Sequence, residues 1–228
     1  MEISIIYEDN HLIAVNKKSG DITQGDKTGD IPLPDKVKAW IKEKYNKPGN
    51  VFCGVIHRLD RPTSGLVLFA KTSKALARMN KKFSTREVQK TYWAIVESSP
   101  AEKQGTLKNF LQKNDKQNKS YVVHENAKNA KSAELTYKVI AKSERYTLIE
   151  VLPKTGRHHQ IRVQLAAIGC IIKGDLKYGA KRSNEDGSIC LHARKLSFEH
   201  PVSKENISIT AKVPEEKLWQ YFESKVEH

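Results

Sequence analysis

Short apolar runs separated by polar turns dominate the chain. Residues 3–7 and 12–15 read as two strands with a turn at Glu8-Asp9-Asn10. Residues 19–34, rich in Gly, Asp, Thr and Pro, read as a loop leading to a helix over about 35–45. In that helix Val37, Trp40, Ile41 and Tyr45 recur at helical spacing. The unbroken run Leu66-Val67-Leu68-Phe69-Ala70 after Gly65 predicts a strand buried on both faces. Ser73 is placed to cap a helix with Leu76, Met79 and Phe83 on one side. A strand follows over 91–96. The polar, Lys- and Asn-rich stretch 104–131 predicts a hairpin with a mobile, solvated loop near Asn114 to Lys119. Strands are expected over 132–141, 146–152, 189–198 and 207–211, a helix over 158–168 after Gly156, and a terminal helix opened by Pro214 and carrying Leu218, Trp219 and Phe222. Many strands and few helices predict an α+β fold with a mixed, largely antiparallel sheet flanked by helices and loops.

The 228 residues are enough for one large domain or two small ones. No stretch approaches the run of about 20 apolar residues that a membrane span needs, and the acidic start MEISIIYEDN does not resemble a signal peptide. Three widely spaced cysteines, Cys53, Cys170 and Cys190, suggest a reducing compartment, so the cytoplasm is the expected location. Charge changes the picture most. Forty Lys and Arg against 26 Asp and Glu give +14, a surplus that attracts polyanions, with nucleic acid as the leading partner. The basic residues are spread along the chain, which favours a charged face built by folding over a basic tail.

Candidate chemistry concentrates in His57 to Lys71, HRLDRPTSGLVLFAK. Asp60 lies in a polar turn punctuated by Pro62 and Gly65, ahead of the buried strand. Arg58 and Arg61 supply positive charge beside it, which suits a carboxylate acting as nucleophile or base. By itself this pattern is more often that of an Asp capping a turn and pairing with an Arg.

The full string HRLDRPTSG resembles the signature of the RluA family of RNA pseudouridine synthases, in which the Asp of HRLD is catalytic. Lys90-Thr91-Tyr92 resembles that family's K-x-Y strand, and Thr155 to Gly169, TGRHHQIRVQLAAIG, resembles its TGR-x-HQIR-x-x-L segment. Gly174-Asp175, Tyr178-Gly179 and the late LHARKLSFEHP also match, so the resemblance runs from about Ile3 to Pro214 in the family's order. It implies a single catalytic domain over residues 1–228 and isomerisation of uridine in ribosomal or transfer RNA. Asp60 would be the catalytic carboxylate, Arg162 its ion partner, Tyr92 the ring that packs on the target base and Leu165 an apolar residue near that base. The chain departs from the family at Lys17-Lys18-Ser19-Gly20, where a Lys-Pro pair is usual. No segment here corresponds to the small S4 domain that many relatives carry, so RNA choice is expected to rest on the catalytic domain's own loops and charge.

The matches also make physical sense. The reaction breaks a glycosidic bond, turns the base and rejoins it through carbon 5, so it needs a carboxylate but no metal or organic cofactor. A buried uridine must be flipped out, and His57 and Arg58 are candidates to fill the vacated space, hold the nucleotide or contact phosphate. Arg157 and His158, near a helix start, suit phosphate. The expected partner is RNA, without membrane or metal, and the expected state is a monomer. Three other readings are an inactive RNA-binding protein of the same fold, a metal enzyme using Cys190, His192, His158 or His159, and a glycosidase with Asp175 as second carboxylate. The metal reading lacks paired ligand spacing, and GDLKYG has the look of a structural turn.

Overall fold

The computed structural model describes residues 3–25 and 29–226. In chain order it forms β1 (Ile5–Glu8), β2 (Leu12–Lys17), α1 (Leu33–Lys44), β3 (Gly54–Val55), β4 (Ser64–Ala70), α2 (Ser73–Ser84) and β5 (Gln89–Val96). There follow β6 (Gln104–Asn114), β7 (Lys119–Val123), β8 (Lys131–Lys142), β9 (Thr147–Pro153), α3 (Gln160–Ala167), a 3-10 turn at Leu176–Tyr178, β10 (Leu191–Glu199), β11 (Asn206–Thr210) and α4 (Lys217–Val226). The fold is α+β, as the pattern predicts. The chain gathers into two compact units. One comprises the chain up to Gln89 together with Ala193–Lys212; the other comprises Lys90–His192 and the chain from Val213 onward.

In the first unit β2 pairs antiparallel with both β1 and β4, from Leu12 opposite Ala70 to Lys17 opposite Gly65. The β1–β2 turn is held by the Asp9 carboxylate, which accepts from the N–H groups of His11 (2.6 Å) and Leu12 (2.7 Å). Every residue of β4 is buried, as its unbroken apolar run predicts. Leu66, Leu68 and Ala70 share a core with Leu12 and Ala14 of β2 and with Ala75 and Met79 of α2. The cap of α2 is Thr72 rather than Ser73: its hydroxyl accepts from the N–H of Ala75 at 3.2 Å. Helix α1 starts two residues earlier than the pattern suggests, because Pro34 in its first turn presets a helical φ. Residues 26–28 of the preceding loop lie outside the described residues.

In the second unit β5, β9, β8, β6 and β7 pair antiparallel in that order. Trp93, Ile95, Ile149 and Val151 build a core with Ile161 and Leu165 of α3 and Trp219 and Phe222 of α4. Helix α4 begins three residues beyond Pro214, after a short turn in which the N–H of Glu216 bonds the Pro214 carbonyl. The stretch expected to be a mobile loop near 114–119 is instead a tight turn. Pairing continues to Asn114 opposite Lys119, the Asn114 side chain accepts from the N–H of Gln117, and Asn118 takes a left-handed conformation (φ 46°) that Asn tolerates well.

Candidate active site

Asp60 sits, half-buried, on the loop that joins β3 to β4. The loop is tied down through its own carbonyls. The N–H of Thr63 closes a turn onto the Asp60 carbonyl at 3.0 Å, and the N–H of Gly20 donates to the Arg61 carbonyl at 2.9 Å. Thr23 donates to the carbonyl of Leu59 and Ser19 to that of Pro62, each at 3.3 Å. Lys17, at the end of β2 and only 1% exposed, donates from Nζ to the carbonyls of Lys18 (3.0 Å), Arg61 (3.1 Å) and Thr63 (2.7 Å). An ammonium has three donors and no acceptor, so it matches three converging carbonyls. Burial pulls the Lys17 ammonium down to about 8, while Asp21 and Asp60 nearby push it back up. The segment 17–23 thus fixes the backbone that presents Asp60. It contains the Lys17-Lys18-Ser19-Gly20 stretch that departs from the Lys-Pro pattern, and a lysine side chain and a glycine N–H hold the loop there.

Gly65, at the start of β4, adopts φ +113°, and a Cβ placed on it would stand 2.4 Å from the carbonyl oxygen of Ala193. Only glycine lets the strand leave the Asp60 loop under that backbone.

His57 and Arg58 precede Asp60 on the same loop. The His57 Nε2 accepts from the N–H of Leu68 at 3.0 Å, and its ring stacks on Phe83 with centroids 5.1 Å apart. The imidazole thereby fastens the loop to β4, with its proton on Nδ1. Arg58 is exposed and bonds Gln24, and exposed Arg61 pairs with Asp30.

The remaining sequence-predicted residues lie in the second unit. On β5, Trp93 is 5% exposed and belongs to the core, whereas Tyr92 is half-buried and packs at the edge of the same cluster as Leu165. Leu165 is fully buried. Helix α3 starts at Gln160, two residues later than the pattern suggests, because His159 is left-handed (φ 53°). His158 is therefore outside the helix, and a helical i, i+4 relation to Arg162 does not arise. The His158 ring instead bonds Ser120 through Nδ1 (2.9 Å) and Asn118 through Nε2 (3.1 Å), and stacks on His159 at 3.8 Å. Arg157 is exposed and donates from Nε to the Ser132 carbonyl at 2.9 Å. Gln160 holds the entry to α3: its side chain accepts from Thr155 (2.7 Å) and from the N–H of Arg157 (3.0 Å) and donates to the Glu134 carbonyl (3.0 Å).

Arg162 is 5% exposed and grips Asp175, 1% exposed, through two hydrogen bonds of 2.7 Å from Nε and Nη2. Its guanidinium also lies 5.2 Å from the ring centroid of Tyr178. The Tyr178 hydroxyl donates to the Ser120 carbonyl (3.1 Å), accepts from the Ser120 N–H (2.9 Å) and bonds His159 Nδ1 (3.0 Å). Burial, with Arg162 and His158 adding positive charge, pushes His159 down to about 2, so its imidazole stays neutral. Asp175 is a buried counter-ion, which removes it as a second carboxylate for glycoside hydrolysis. Among the described residues no three His, Cys, Asp or Glu side chains gather to hold a metal ion. No described helix is long and apolar enough to cross a membrane.

Comparison with known proteins adds to this geometry. A family model described as RNA pseudouridylate synthase matches residues 11–167, a span that includes the Asp60 loop, β5 and α3. The dual-specificity RNA pseudouridine synthase RluA of Pasteurella multocida is 34% identical over 214 residues, covering 92% of this chain and 92% of the relative. The tRNA pseudouridine synthase C of Haemophilus ducreyi is 35% identical over 245 residues, covering 96% of this chain and 94% of the relative. Among solved structures, human RNA pseudouridylate synthase domain containing 4 shares the fold, with a TM-score of 0.79 at 24% identity, covering 98% of this chain and 93% of that one.

Proposed function

The chain belongs to the RNA pseudouridylate synthase family, and from that premise we propose that it converts uridine in ribosomal or transfer RNA to pseudouridine with Asp60 as its catalytic carboxylate. The reaction is an intramolecular transfer. The bond from C1′ of the ribose to N1 of the base breaks, the base turns, a bond from C1′ to C5 forms, the hydrogen on C5 leaves as a proton, and N1 takes a proton up. Water is not consumed, and nothing is oxidised. Asp60 serves this chemistry either by bonding to the sugar or by acting as a base on it. In keeping with the family resemblance, Arg162 orients Asp60 and Tyr92 stacks on the base, a contact worth about 1–3 kcal/mol. Leu165 supports the base from the core. His57 and Arg58 manage the flipped nucleotide, and Arg157 and His158 contact phosphate. The whole chain acts as one catalytic domain, as a monomer in the cytoplasm, without metal or organic cofactor.

The single observation that supports Asp60 best is its loop. Five consecutive carbonyls, from Leu59 to Thr63, are bonded by donors from segment 17–23 or from the loop itself. A reacting group must be held in place for its geometry to count. Tritium release from cellular RNA labelled at C5 of uridine tests the proposal, because the isomerisation must expel that hydrogen. The wild-type chain is expected to release tritium and Asp60→Asn to release none while still binding RNA. A folded wild type that binds RNA and releases nothing would show an inactive binder; free uracil in place of isomerised RNA would show a hydrolase.

A further inference from the structure

Strand β8 alternates between buried and exposed side chains over residues 132–138, and β6 and β7 pair in register with it and with each other. On β8, Ala133, Leu135 and Tyr137 are buried, whereas Ser132, Thr136 and Lys138 are exposed. The register sets Phe110 opposite both Ser132 and Val123, Gln112 opposite Tyr121, and Asn114 opposite Lys119. Residues paired across strands project to the same face. Lys108, Phe110, Lys119, Tyr121 and Val123 therefore share the solvent side of this sheet, opposite the side on which Leu111 and Ala133 pack against Val163 of α3. The proposed chemistry uses none of these five residues.

Tyr121 is 39% exposed, and the Lys119 ammonium lies 5.3 Å from its ring centroid. Phe110 is half-buried and stands diagonally across the strand pair from Tyr121, within reach of one extended ligand. An exposed apolar face at a sheet edge also suits another protein. Charge decides between the two. From Lys108 to Lys131 the sequence has six lysines and two acids, Asp115 and Glu125. Asp115 is already paired with Lys113 at 2.6 Å, and Glu134 on the exposed face with Lys154 at 3.3 Å. The register puts Lys113 and Lys131 on the other side and leaves Lys108 and Lys119 on this face with the aromatic rings, a combination that fits unpaired bases with phosphates between them. The hairpin is also held rigid, by Tyr178 and His158 on Ser120 and by Lys177 Nζ on the Asn118 carbonyl at 2.9 Å.

We propose that this face is a platform for a single-stranded part of the RNA, with bases stacked on Tyr121 and Phe110 and phosphates on Lys108 and Lys119. The proposal rests on RNA being the substrate and adds where a stretch other than the reacting uridine is gripped.

The test combines two readouts on wild type, Tyr121→Ala, Tyr121→Phe and the double variant Lys108→Glu with Lys119→Glu. One is the affinity for a fluorescent, unstructured oligoribonucleotide across a salt series. The other is KM and kcat for tritium release from C5-labelled cellular RNA. Tyr121→Ala should bind the oligonucleotide about tenfold more weakly and raise KM without lowering kcat, while Tyr121→Phe, which keeps the ring, should match wild type. The double variant should flatten the slope of log affinity against log salt by about 0.7 per lysine or more. Wild-type affinity and KM in every variant, with active wild type, would overturn the platform and leave the isomerase reading standing. Weakened oligonucleotide binding by Tyr121→Ala, with no tritium released even by wild type, would sustain the platform and overturn the isomerase. Unchanged thermal midpoints confirm folded variants, as expected for side chains on a solvent face.

Discussion

Arg162 and Asp175, thirteen positions apart, meet as a two-point ion pair with both N···O distances at 2.7 Å and almost no exposed surface. Planar guanidinium and carboxylate match in this arrangement, which fixes orientation as well as charge. Breaking a buried pair leaves one charge uncompensated, at about 3–5 kcal/mol. Asp175→Ala is therefore expected to lose about that much stability in urea denaturation, and Asp175→Asn less, because it retains one acceptor. A loss below about 1 kcal/mol for Asp175→Ala would show that other groups carry the Arg162 charge.

Lys17 links the end of β2 to three carbonyls around Asp60. Lys17→Met fills the space but takes the ammonium donor away from those carbonyls, of which that of Arg61 keeps the N–H of Gly20, and a buried acceptor that loses its donor costs about 1–3 kcal/mol. The expected result is a loss of at least about 2 kcal/mol, faster hydrogen exchange in residues 57–63 and a lower kcat for tritium release. Unchanged exchange in that loop would mean that Ser19, Gly20 and Thr23 hold it without the lysine.

Gly65→Ala combines a backbone conformation costly for any side chain with a Cβ 2.4–2.8 Å from the Ala193 backbone. Destabilisation of about 3 kcal/mol or more is expected, seen as a lower urea midpoint or loss of soluble protein. A wild-type midpoint would require β4 to move away from Ala193.

His159 gives the protein a defined acid sensitivity. Its folded value is about 2, against an ordinary value of 6.5. Above pH 6.5 both folded and unfolded chains hold it neutral, so it contributes nothing. Below that, the unfolded chain takes up a proton that the folded chain refuses. Stability from this group then falls by up to about 1.4 kcal/mol per pH unit, down to the folded value. His159→Asn keeps a residue that tolerates the left-handed conformation and removes the titration. Urea midpoints at pH 7, 5.5 and 4.5 should fall less steeply for the variant, and equal slopes would place the acid sensitivity elsewhere.

The strands and helices follow local pattern closely. The run 66–70 is fully buried, Met79 and Ala75 face the core from α2, and Trp219 and Phe222 do so from α4. Boundaries shift where side-chain bonds compete with periodicity. Thr72 takes the cap from Ser73, Pro34 pulls α1 forward, and left-handed His159 delays α3. The turn at 114–119 looks solvated in sequence because its residues are polar. It is ordered because Asn114 and Asn118 close it locally and His158, Lys177 and Tyr178 reach it from far along the chain.

What the sequence determined by itself is therefore the set of elements, the positive charge and the loop motif around Asp60, since each depends on residues close together in the chain. Tertiary structure decided which polar residues are buried and what they bond. In sequence Lys17 is one lysine in a pair and Gly174-Asp175 is a turn. In the fold Lys17 is the donor to three carbonyls and Asp175 the counter-ion of Arg162. Neither role has a periodicity or a spacing. Burial makes an unpaired polar group costly, and which partner satisfies it depends on distances that only the folded backbone sets.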